Sequence, residues 1–398
     1  MPMRALMILC VLPLLIGCAH RQLVTQPYPF WGEAVTLPVA GSDARRQLQT
    51  LAPRSPASMQ GCLLIVHGMN EHVGRYGDVA RHFSGRFMVV GIDLTAHGMS
   101  NPVLAKAHAR VTGGAPGYDV GRAFLEQERL DDLQPMREDL GQALNYLAGR
   151  CRSPSGRKPL PIFILSHSLG SLVASSYLLQ AKEDPAAARV QGIVFSGPAF
   201  SVTQVPGWRG WFQNPIVDFT FHTHEHFLNP HAEPLPVMLF NQFVALVAVP
   251  LQDGLIELLS LPGLRLLFSP TAPDWVKNYL TDSEEEKIRL IHDKYMIKRS
   301  LLSFVLSVEK EIIEFRARMR QFDLPYLLIY SEHDPITPAW GNTDFAAATR
   351  RLNPHNRIVL LADASHHEQL FSASPVKEQL LEIIDRWLEQ RLKDIDRL

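Results

Sequence analysis

The sequence predicts an α/β fold, a mostly parallel sheet with helices on both faces. Six short, continuous apolar runs have the composition of strands that are buried on both sides. These runs occupy residues 62–67, 87–93, 162–166, 190–196, 326–331 and 357–361. Segments of helical length separate the runs, and this alternation favours parallel strands joined by helical crossovers.

The predicted helices lie between these strands and after the last one. They occupy residues 75–83, 126–147, 169–181, 339–352 and 375–392. Residues 46–51 predict an additional strand before the first run. Residues 101–118 contain a Gly-Gly and a Pro-Gly pair and therefore predict an exposed loop.

One long insertion interrupts the alternation. Residues 199–321 are apolar and aromatic, and these roughly 120 residues stand where a connection normally takes about 2–6. We therefore predict an α/β core over residues 46–198 and 322–398, with residues 199–321 as an inserted helical lid. Its apolar side chains either line a lipophilic tunnel and touch a membrane or form the core of the insert itself.

The N-terminus has the pattern of a secretory signal. Arg4 provides the positive charge, and the apolar run over residues 6–16 is too short for a good transmembrane helix and contains Pro13. The run ends in Leu-Ile-Gly before Cys18, which resembles the processing box of bacterial lipoproteins. This resemblance implies cleavage before Cys18 and lipidation of its sulfur. A plain secretory signal with a chance cysteine is the alternative.

The same resemblance implies a location. Residues 1–17 would be the signal peptide, and residues 18–45 a linker that begins at the lipidated cysteine. Ala19 follows Cys18 in place of aspartate, which in such lipoproteins implies the outer membrane of a Gram-negative cell envelope, facing the periplasm. We expect the membrane to be a partner through the lipid on Cys18, held stably by more than one acyl chain.

Composition excludes two classes of protein. Lys and Arg total 39 against 40 Asp and Glu, a formal charge of −1, so the basic excess of a nucleic-acid binder is missing. Four cysteines in 398 residues exclude a disulfide scaffold. Cys62 and Cys151 would remain with Cys18 in the mature chain, and the sequence is compatible with a disulfide between them or with two buried thiols.

A serine nucleophile is predicted where the third apolar run ends. Residues 166–170 (SHSLG) follow a strand and precede a helix, which is the context of a nucleophile elbow. Ser168 is the centre because Gly170 stands two residues after it, although Ser166 replaces the glycine that usually stands two residues before. A serine that caps a helix is the structural alternative.

A base and an acid follow in the chain order of the hydrolases with this elbow. Asp334 stands just beyond the strand over residues 326–331, and His367 follows the strand over residues 357–361. A serine hydroxyl needs such a base, and the base needs an acid that fixes its tautomer. The competing residues are His366 for the base and Glu332 or Asp363 for the acid.

Backbone donors for a tetrahedral oxyanion are predicted at two strand ends. Met69 follows the first apolar run, so its N–H group can join that of Leu169, the residue after Ser168. Because both donors are backbone groups, the residue types need not be polar.

Three further segments resemble one known family. Residues 67–76 (HGMNEHVGRY) are similar to the HGxxEHxxRY segment of monoacylglycerol lipases and bacterial lysophospholipases, in the serine-aminopeptidase-like group of α/β-hydrolases. Residues 93–100 (DLTAHGMS) resemble their DxxGHGxS segment, with Ala96 in place of a glycine. His367 and Glu368 resemble the closing His-Glu pair, which favours His367 over His366.

The resemblance implies Ser168, Asp334 and His367 as a catalytic triad, with Met69 and Leu169 as the oxyanion hole. It implies that the protein hydrolyses carboxylic esters of lipophilic acyl groups. The implied substrate is a monoacylglycerol or a lysophospholipid. A serine aminopeptidase-like activity, or an inactive lipoprotein that binds lipid or a partner protein, are the alternatives. Triad chemistry requires no cofactor.

One histidine-rich segment is a rival site for a metal. It comprises His222, His224 and His226, with His231 nearby. Alternate histidines or an i, i+4 pair can bind zinc, but the spacing matches no defined zinc signature. We expect a polar hinge in the insert and no metal.

Overall fold

The computed structural model describes residues 22–39, 43–121, 123–153, 155–156, 158–207, 210–228, 235–259, 276–298 and 300–397. The predicted signal over residues 1–17, Cys18 with its proposed lipid, and His231 lie outside the described residues.

The main sheet confirms the predicted α/β class. In chain order the described strands are β1 (Leu23–Val24), β2 (Glu33–Pro38), β3 (Arg45–Leu51), β4 (Gly61–Val66), β5 (Phe87–Ile92), β6 (Tyr118–Asp119), β7 (Ile162–His167), β8 (Val190–Ser196), β9 (Tyr326–Ser331) and β10 (Arg357–Leu361). Eight of them form one sheet in the order β10-β9-β8-β7-β4-β5-β3-β2. All its pairs are parallel except β2 with β3 and β3 with β5.

Helices alternate with these strands. The described α-helices are α1 (Gly77–Phe83), α2 (Pro102–Thr112), α3 (Gln134–Arg150), α4 (Leu169–Gln180), α5 (Gly210–Leu228), α6 (Leu235–Leu259), α7 (Lys277–Leu280), α8 (Glu284–His292), α9 (Leu302–Arg318), α10 (Ala339–Thr349) and α11 (Val376–Asp396). Helices α5 to α9 follow β8 and precede β9, inside the predicted insertion. None of the described helices is long and apolar enough to cross a membrane.

The prediction of an exposed loop over residues 101–118 was wrong, because most of this segment is helix α2. The side chain of Asn101 caps the helix by accepting hydrogen bonds from the N–H groups of Val103 and Leu104. Proline at the first helical position needs no donor partner there. The buried Leu104 and Ala107 fix the helix to the core. The asparagine cap was the missed signal, since only the glycines after the helix were weighed.

The core has two layers, one on each face of the sheet. Successive strand residues point to opposite faces, so Leu64 packs with α3 and α4, whereas Leu63 packs with α1 and α11. All of β4 and β7 is buried. This explains why both strands are continuous apolar runs rather than alternating ones.

The segment after the predicted anchor packs against the rest of the chain. Val24 and Tyr28 are buried, and β1 pairs with β6. The side chain of Gln22 donates hydrogen bonds to the carbonyl oxygens of Lys294 (2.7 Å) and Met296 (3.1 Å). The predicted linker therefore contains an ordered arm, residues 22–31, that contacts the insert.

A disulfide joins Cys62 in β4 to Cys151 at the end of α3, across 89 residues of sequence. Their Cα atoms lie 5.9 Å apart, and both residues are fully buried. Of the two possibilities that the sequence left open, the structure has the disulfide.

Replacing Cys62 and Cys151 together with alanine should lower the free energy of unfolding by about 2–4 kcal/mol, because the disulfide restricts a long loop of the unfolded chain. Urea unfolding followed by circular dichroism measures the change. The unreduced wild type should lose the same stability when reductant is added. Equal stability of wild type and double variant without reductant would contradict the pairing.

Candidate active site

Ser168 occupies a sharp turn between a strand and a helix. β7 ends at His167 and α4 begins at Leu169, so Ser168 alone forms the turn, with φ 47° and ψ −121°. This left-handed conformation is costly for a residue with a side chain and is typical of functional sites. At Gly170 a Cβ atom would overlap the carbonyl oxygens at the end of β4, which explains why that position must be glycine.

A continuous line of hydrogen bonds connects three of the predicted residues. His367 Nε2 lies 2.8 Å from Ser168 Oγ, and His367 Nδ1 lies 2.8 Å from Asp334 Oδ2. An ionised carboxylate can only accept a hydrogen bond, so the proton of the neutral imidazole lies on Nδ1. Nε2 is then free to accept the proton of the serine hydroxyl.

Asp334 is held by donors on its own loop. Its Oδ1 accepts the N–H groups of Ile336 (2.8 Å) and Thr337 (2.9 Å), and the Thr337 hydroxyl donates to Oδ2 at 3.0 Å. Burial would raise the pKa of Asp334, but the charge of His367 and these donors outweigh it and lower the pKa. Thr337 was not predicted, because nothing in a single threonine indicates which loop it supports.

The hydrogen bond between Asp334 and His367 also changes the pKa of the histidine. Burial would lower the pKa of His367, but the charge and hydrogen bond of Asp334 outweigh it and raise that pKa above its ordinary value. The imidazole is therefore set to receive a proton while it stays in one orientation.

The competing residues lie elsewhere. His366 Nε2 is 2.8 Å from the hydroxyl of Ser372, and its pKa is lowered, chiefly by burial. Glu332 and Asp363 are exposed, whereas Asp334 is buried. The geometry thus brings together Ser168, His367 and Asp334 and leaves these three alternatives apart.

The loop after β4 lies against the serine turn. A Cβ atom on Gly68 would lie 3.0 Å from the Cβ atom of Ser168. The N–H group of Gly68 donates to Glu71 Oε1 at 2.6 Å, which fixes the path of the loop through Met69. Leu169 is the first residue of α4, where backbone N–H groups have no partner inside the helix.

Arg75 connects this loop to the loop of His367. Its guanidinium donates to Glu71 Oε2 at 2.6 Å and to Glu368 Oε2 at 2.7 Å, and all three side chains are buried. Tyr76 also donates to Glu71. The sequence identified these residues as a motif, but their pairing was not predicted, because Glu368 stands 293 residues after Arg75.

The segment over residues 93–100 supports the same loop from the other side. The carboxylate of Asp93 accepts the Val73 and Met99 N–H groups and the Tyr28 hydroxyl. His97 Nε2 accepts the N–H group of Asn70 at 3.1 Å. Ala96 has φ 69°, the left-handed region, which explains why the resembling family has glycine there.

The histidine-rich segment lies on α5. His222 Nδ1 is 3.6 Å from Glu225 Oε2, and His224 Nδ1 is 2.9 Å from the Thr220 carbonyl oxygen. Across the described residues, no three His, Cys, Asp or Glu side chains are grouped to hold a metal ion.

Two cavities differ in size and place. One of about 10 Å³ adjoins Met69 and is lined mainly by Val202, Val305, Val308 and Ile312. One of about 360 Å³ lies between β10 and α11, and none of its lining residues belongs to the Ser168 site. Ser168 itself is 8% exposed, so the site is closed in this conformation.

This fold and this arrangement of strand ends define an α/β hydrolase. The chain belongs to the hydrolase family described as serine aminopeptidase, S33, whose family model matches residues 57–371. A search of curated proteins finds no match to the chain.

Solved structures with the same fold include three enzymes of distant sequence. A soluble variant of monoglyceride lipase from Saccharomyces cerevisiae, in complex with a substrate analog, has a TM-score of 0.62 at 14% identity and covers 92% of this chain and 99% of its own. A monoacylglycerol lipase from Paleococcus ferrophilus has a TM-score of 0.55 at 18% identity, with 86% and 98% covered. A carboxyl esterase from Bacillus coagulans has a TM-score of 0.55 at 15% identity, with 90% and 98% covered.

Alanine at His367 should abolish ester hydrolysis, whereas alanine at His366 should leave most of it, because only His367 contacts Ser168. Loss of a base in such a site lowers kcat by about 10⁴-fold or more. The two purified variants are compared by kcat on a soluble ester. Equal losses would leave His367 unsupported as the base.

Replacing Arg75 with methionine should destabilise the protein by about 3–5 kcal/mol, because two buried carboxylates lose their shared cation. Arg81→Met is the matched control: Arg81 pairs with Asp78 on the surface at 2.6 Å, and such pairs contribute about 0–1 kcal/mol. Urea unfolding measures both. The interpretation is wrong if the two variants are equally stable.

Proposed function

We propose that the protein is a serine hydrolase that cleaves carboxylic esters of lipophilic acyl groups, of the monoacylglycerol or lysophospholipid type. The observation that carries the proposal is the hydrogen-bonded line from Ser168 through His367 to Asp334, at 2.8 Å for each step. The strained turn at Ser168 and membership of a hydrolase family support it.

In the first half of the proposed reaction, Ser168 Oγ attacks the ester carbonyl carbon while His367 Nε2 takes the hydroxyl proton. The carboxylate of Asp334 stabilises the imidazolium through Nδ1–H and keeps the ring in place. The oxyanion accepts hydrogen bonds from the backbone N–H groups of Met69 and Leu169. His367 then returns the proton to the leaving alcohol, and the acyl group stays on Ser168.

In the second half, a water molecule takes the place of the alcohol. His367 removes a proton from this water molecule, and the resulting hydroxide attacks the acyl-serine carbonyl. The same two N–H groups donate hydrogen bonds to the oxyanion that forms. Collapse of this intermediate releases the carboxylic acid and returns the proton to Ser168.

The side chains around Met69 have the apolar chemistry that a lipophilic acyl group requires. The residues that line the small cavity beside it are mainly aliphatic, from the start of the insert and from α9. Two of the solved structures with the same fold are those of a monoglyceride lipase and a monoacylglycerol lipase. Both observations favour an acyl chain over a peptide as the group on the acid side of the bond.

The proposal includes attachment to a membrane, which the N-terminal motif supports. Cys18 would carry the lipid and would attach the mature chain to the outer membrane of a Gram-negative cell, facing the periplasm. A disulfide between Cys62 and Cys151 is consistent with that oxidising compartment. Residues 199–321 would act as the lid over Ser168.

Ser168→Ala should abolish labelling by a fluorophosphonate and lower ester hydrolysis by about 10⁴-fold or more, because the activated hydroxyl is removed. The experiment uses the purified mature form that starts at residue 18 with Cys18→Ser. Ser166→Ala is the matched control, since the Ser166 hydroxyl donates to the Val194 carbonyl and not to His367. Full labelling of the Ser168 variant would exclude the proposed site.

A substrate panel then separates the activities. Monoacylglycerols, lysophospholipids and short-chain esters are compared with aminoacyl amides by kcat/KM. Preference for the amides would replace the esterase with an aminopeptidase. A folded wild type that is neither labelled nor active would favour an inactive lipid-binding or partner-binding lipoprotein.

Cys18→Ser should release the protein from membranes, because a stable attachment requires more than one acyl chain on this residue. Cell fractionation with immunoblotting measures the distribution between membrane and periplasm, and extraction at high salt removes electrostatic binding. If wild type and variant both stay in the membrane fraction after extraction at high salt, the lipid on Cys18 does not determine the location.

A further inference from the structure

The exposed apolar side chains are concentrated on one part of the molecule. Of the 16 large apolar side chains that are exposed in the described residues, ten lie on α5 and α6. Two more, Leu23 and Phe30, lie on the arm of residues 22–31. Apolar patches of this extent are uncommon on soluble monomers and mark contact with a membrane or a partner.

Helix α6 carries most of the patch on one stripe. Its exposed side chains recur at helical spacing of three and four residues, at Leu239, Phe240, Phe243, Leu246, Val247 and Leu251. Residues 235–252 contain no charged residue. On α5, Trp211 is 82% exposed and Phe219 is 53% exposed. We call α5 and α6 the apolar hairpin, since the two helices pack on each other.

The apolar hairpin is fixed to the helix that covers the active-site cavity. Arg316 on α9 contacts Glu225 on α5 at 2.6 Å, and both side chains are largely buried. Val305 and Val308, on the same helix α9, line the cavity beside Met69.

The arm contacts the loop that precedes the same helix. Gln22 bonds to the loop just before α9, through Lys294 and Met296. Tyr295 in that loop donates its hydroxyl to the Gln26 carbonyl at 2.8 Å. The arm therefore contacts the loop before α9, and the apolar hairpin contacts α9 itself at Arg316, so both are joined to the same part of the insert.

The length of chain before the arm limits where the anchor can lie. Four residue-to-residue steps lead from Cys18 to Gln22, and at about 3.5 Å per step this stretch reaches at most about 14 Å. A lipid on Cys18 would therefore hold the arm and the loop before α9 close to the bilayer surface. The ordered arm leaves no long linker through which the molecule could turn away.

We infer that the apolar hairpin docks on the same lipid bilayer that holds the anchor, with α5 and α6 lying in the headgroup region. This inference rests on the proposed function only for the lipid on Cys18. The uncharged stripe of α6 and the exposed Trp211 suit an interfacial helix. The anchor makes docking intramolecular, so weak contacts are sufficient. The active site then faces the membrane that contains its substrate.

Vesicle flotation tests the docking without the anchor. The contacts of the apolar hairpin are weak without the anchor, so the mature form with Cys18→Ser leaves the membrane fraction of cells but should float with a large excess of vesicles of phosphatidylethanolamine and phosphatidylglycerol. The variant Phe240→Ser/Phe243→Ser/Leu251→Ser should lose roughly tenfold or more of this binding, because three exposed apolar side chains are removed. The matched control is Leu352→Ser/Ile358→Ser, two of the exposed apolar residues outside the hairpin and the arm. Circular dichroism checks folding.

Three other outcomes, two from flotation and one from sedimentation, overturn the inference. A wild type that does not float lacks the membrane contact. Equal loss in the hairpin variant and the control variant means that binding is not specific to the hairpin. A wild type that sediments as a dimer, with a monomeric hairpin variant, means that a second copy of the chain covers the patch.

Activity separates this inference from the proposed function. The lipidated hairpin variant should hydrolyse a vesicle-embedded monoacylglycerol roughly tenfold more slowly than wild type, yet hydrolyse a soluble short-chain ester at the wild-type rate. Equal losses on both substrates would assign the hairpin to the active site and overturn the docking. If wild type hydrolyses neither ester, the proposed function fails, and flotation still decides the docking.

Discussion

The guanidinium of Arg75 and the two carboxylates that it contacts hold the site together. Glu71 fixes the loop that carries Met69, and Glu368 follows His367, so one buried cation joins the predicted oxyanion donors to the predicted base. The three charges are costly to bury alone, and they are stable only as a group because each carboxylate has the arginine as a partner. A shift of either loop would therefore leave a buried charge without a counter-ion.

Burial also decides which of the clustered histidines can accept a proton. Burial lowers the pKa of His67 to about 3 and of His97 to about 4, so both stay neutral and serve as hydrogen-bond acceptors for the loops around Ser168. His167 stacks near His367, with ring centroids 4.9 Å apart, and its pKa is also lowered by burial. Among these rings, His367 alone has a carboxylate at hydrogen-bond distance.

Much of the fold follows from local sequence, and the reason is physical. A strand that is buried on both faces, such as β4 or β7, must be continuously apolar, so its position is evident without a partner. Helix α2 was missed because its cap is one asparagine and its buried face is narrow. The ordered arm was expected as a linker, because its contacts with Tyr295 and Met296 join residues far apart in sequence.

The candidate site likewise contains residues that the sequence predicts and contacts that it does not. Ser168, Asp334 and His367 could be chosen from strand ends and chain order, since parallel strands bring their carboxyl ends to one edge. The contacts that orient them could not, because Thr337 and Glu368 act through geometry that single residues do not encode. Pairing of Arg75 with Glu368 depends on two loops meeting after the whole sheet has formed.

The closed state of the site places a requirement on the insert. A cavity of about 10 Å³ beside Met69 holds at most a water molecule, whereas pockets for small molecules measure about 300–1,000 Å³. An acyl chain that enters this cavity must therefore displace the aliphatic side chains of α9 and of the segment after β8 that line it. Because α9 also carries the ion pair from Arg316 to α5, a movement of α9 that admits substrate would be coupled to the helices that bear the exposed apolar surface.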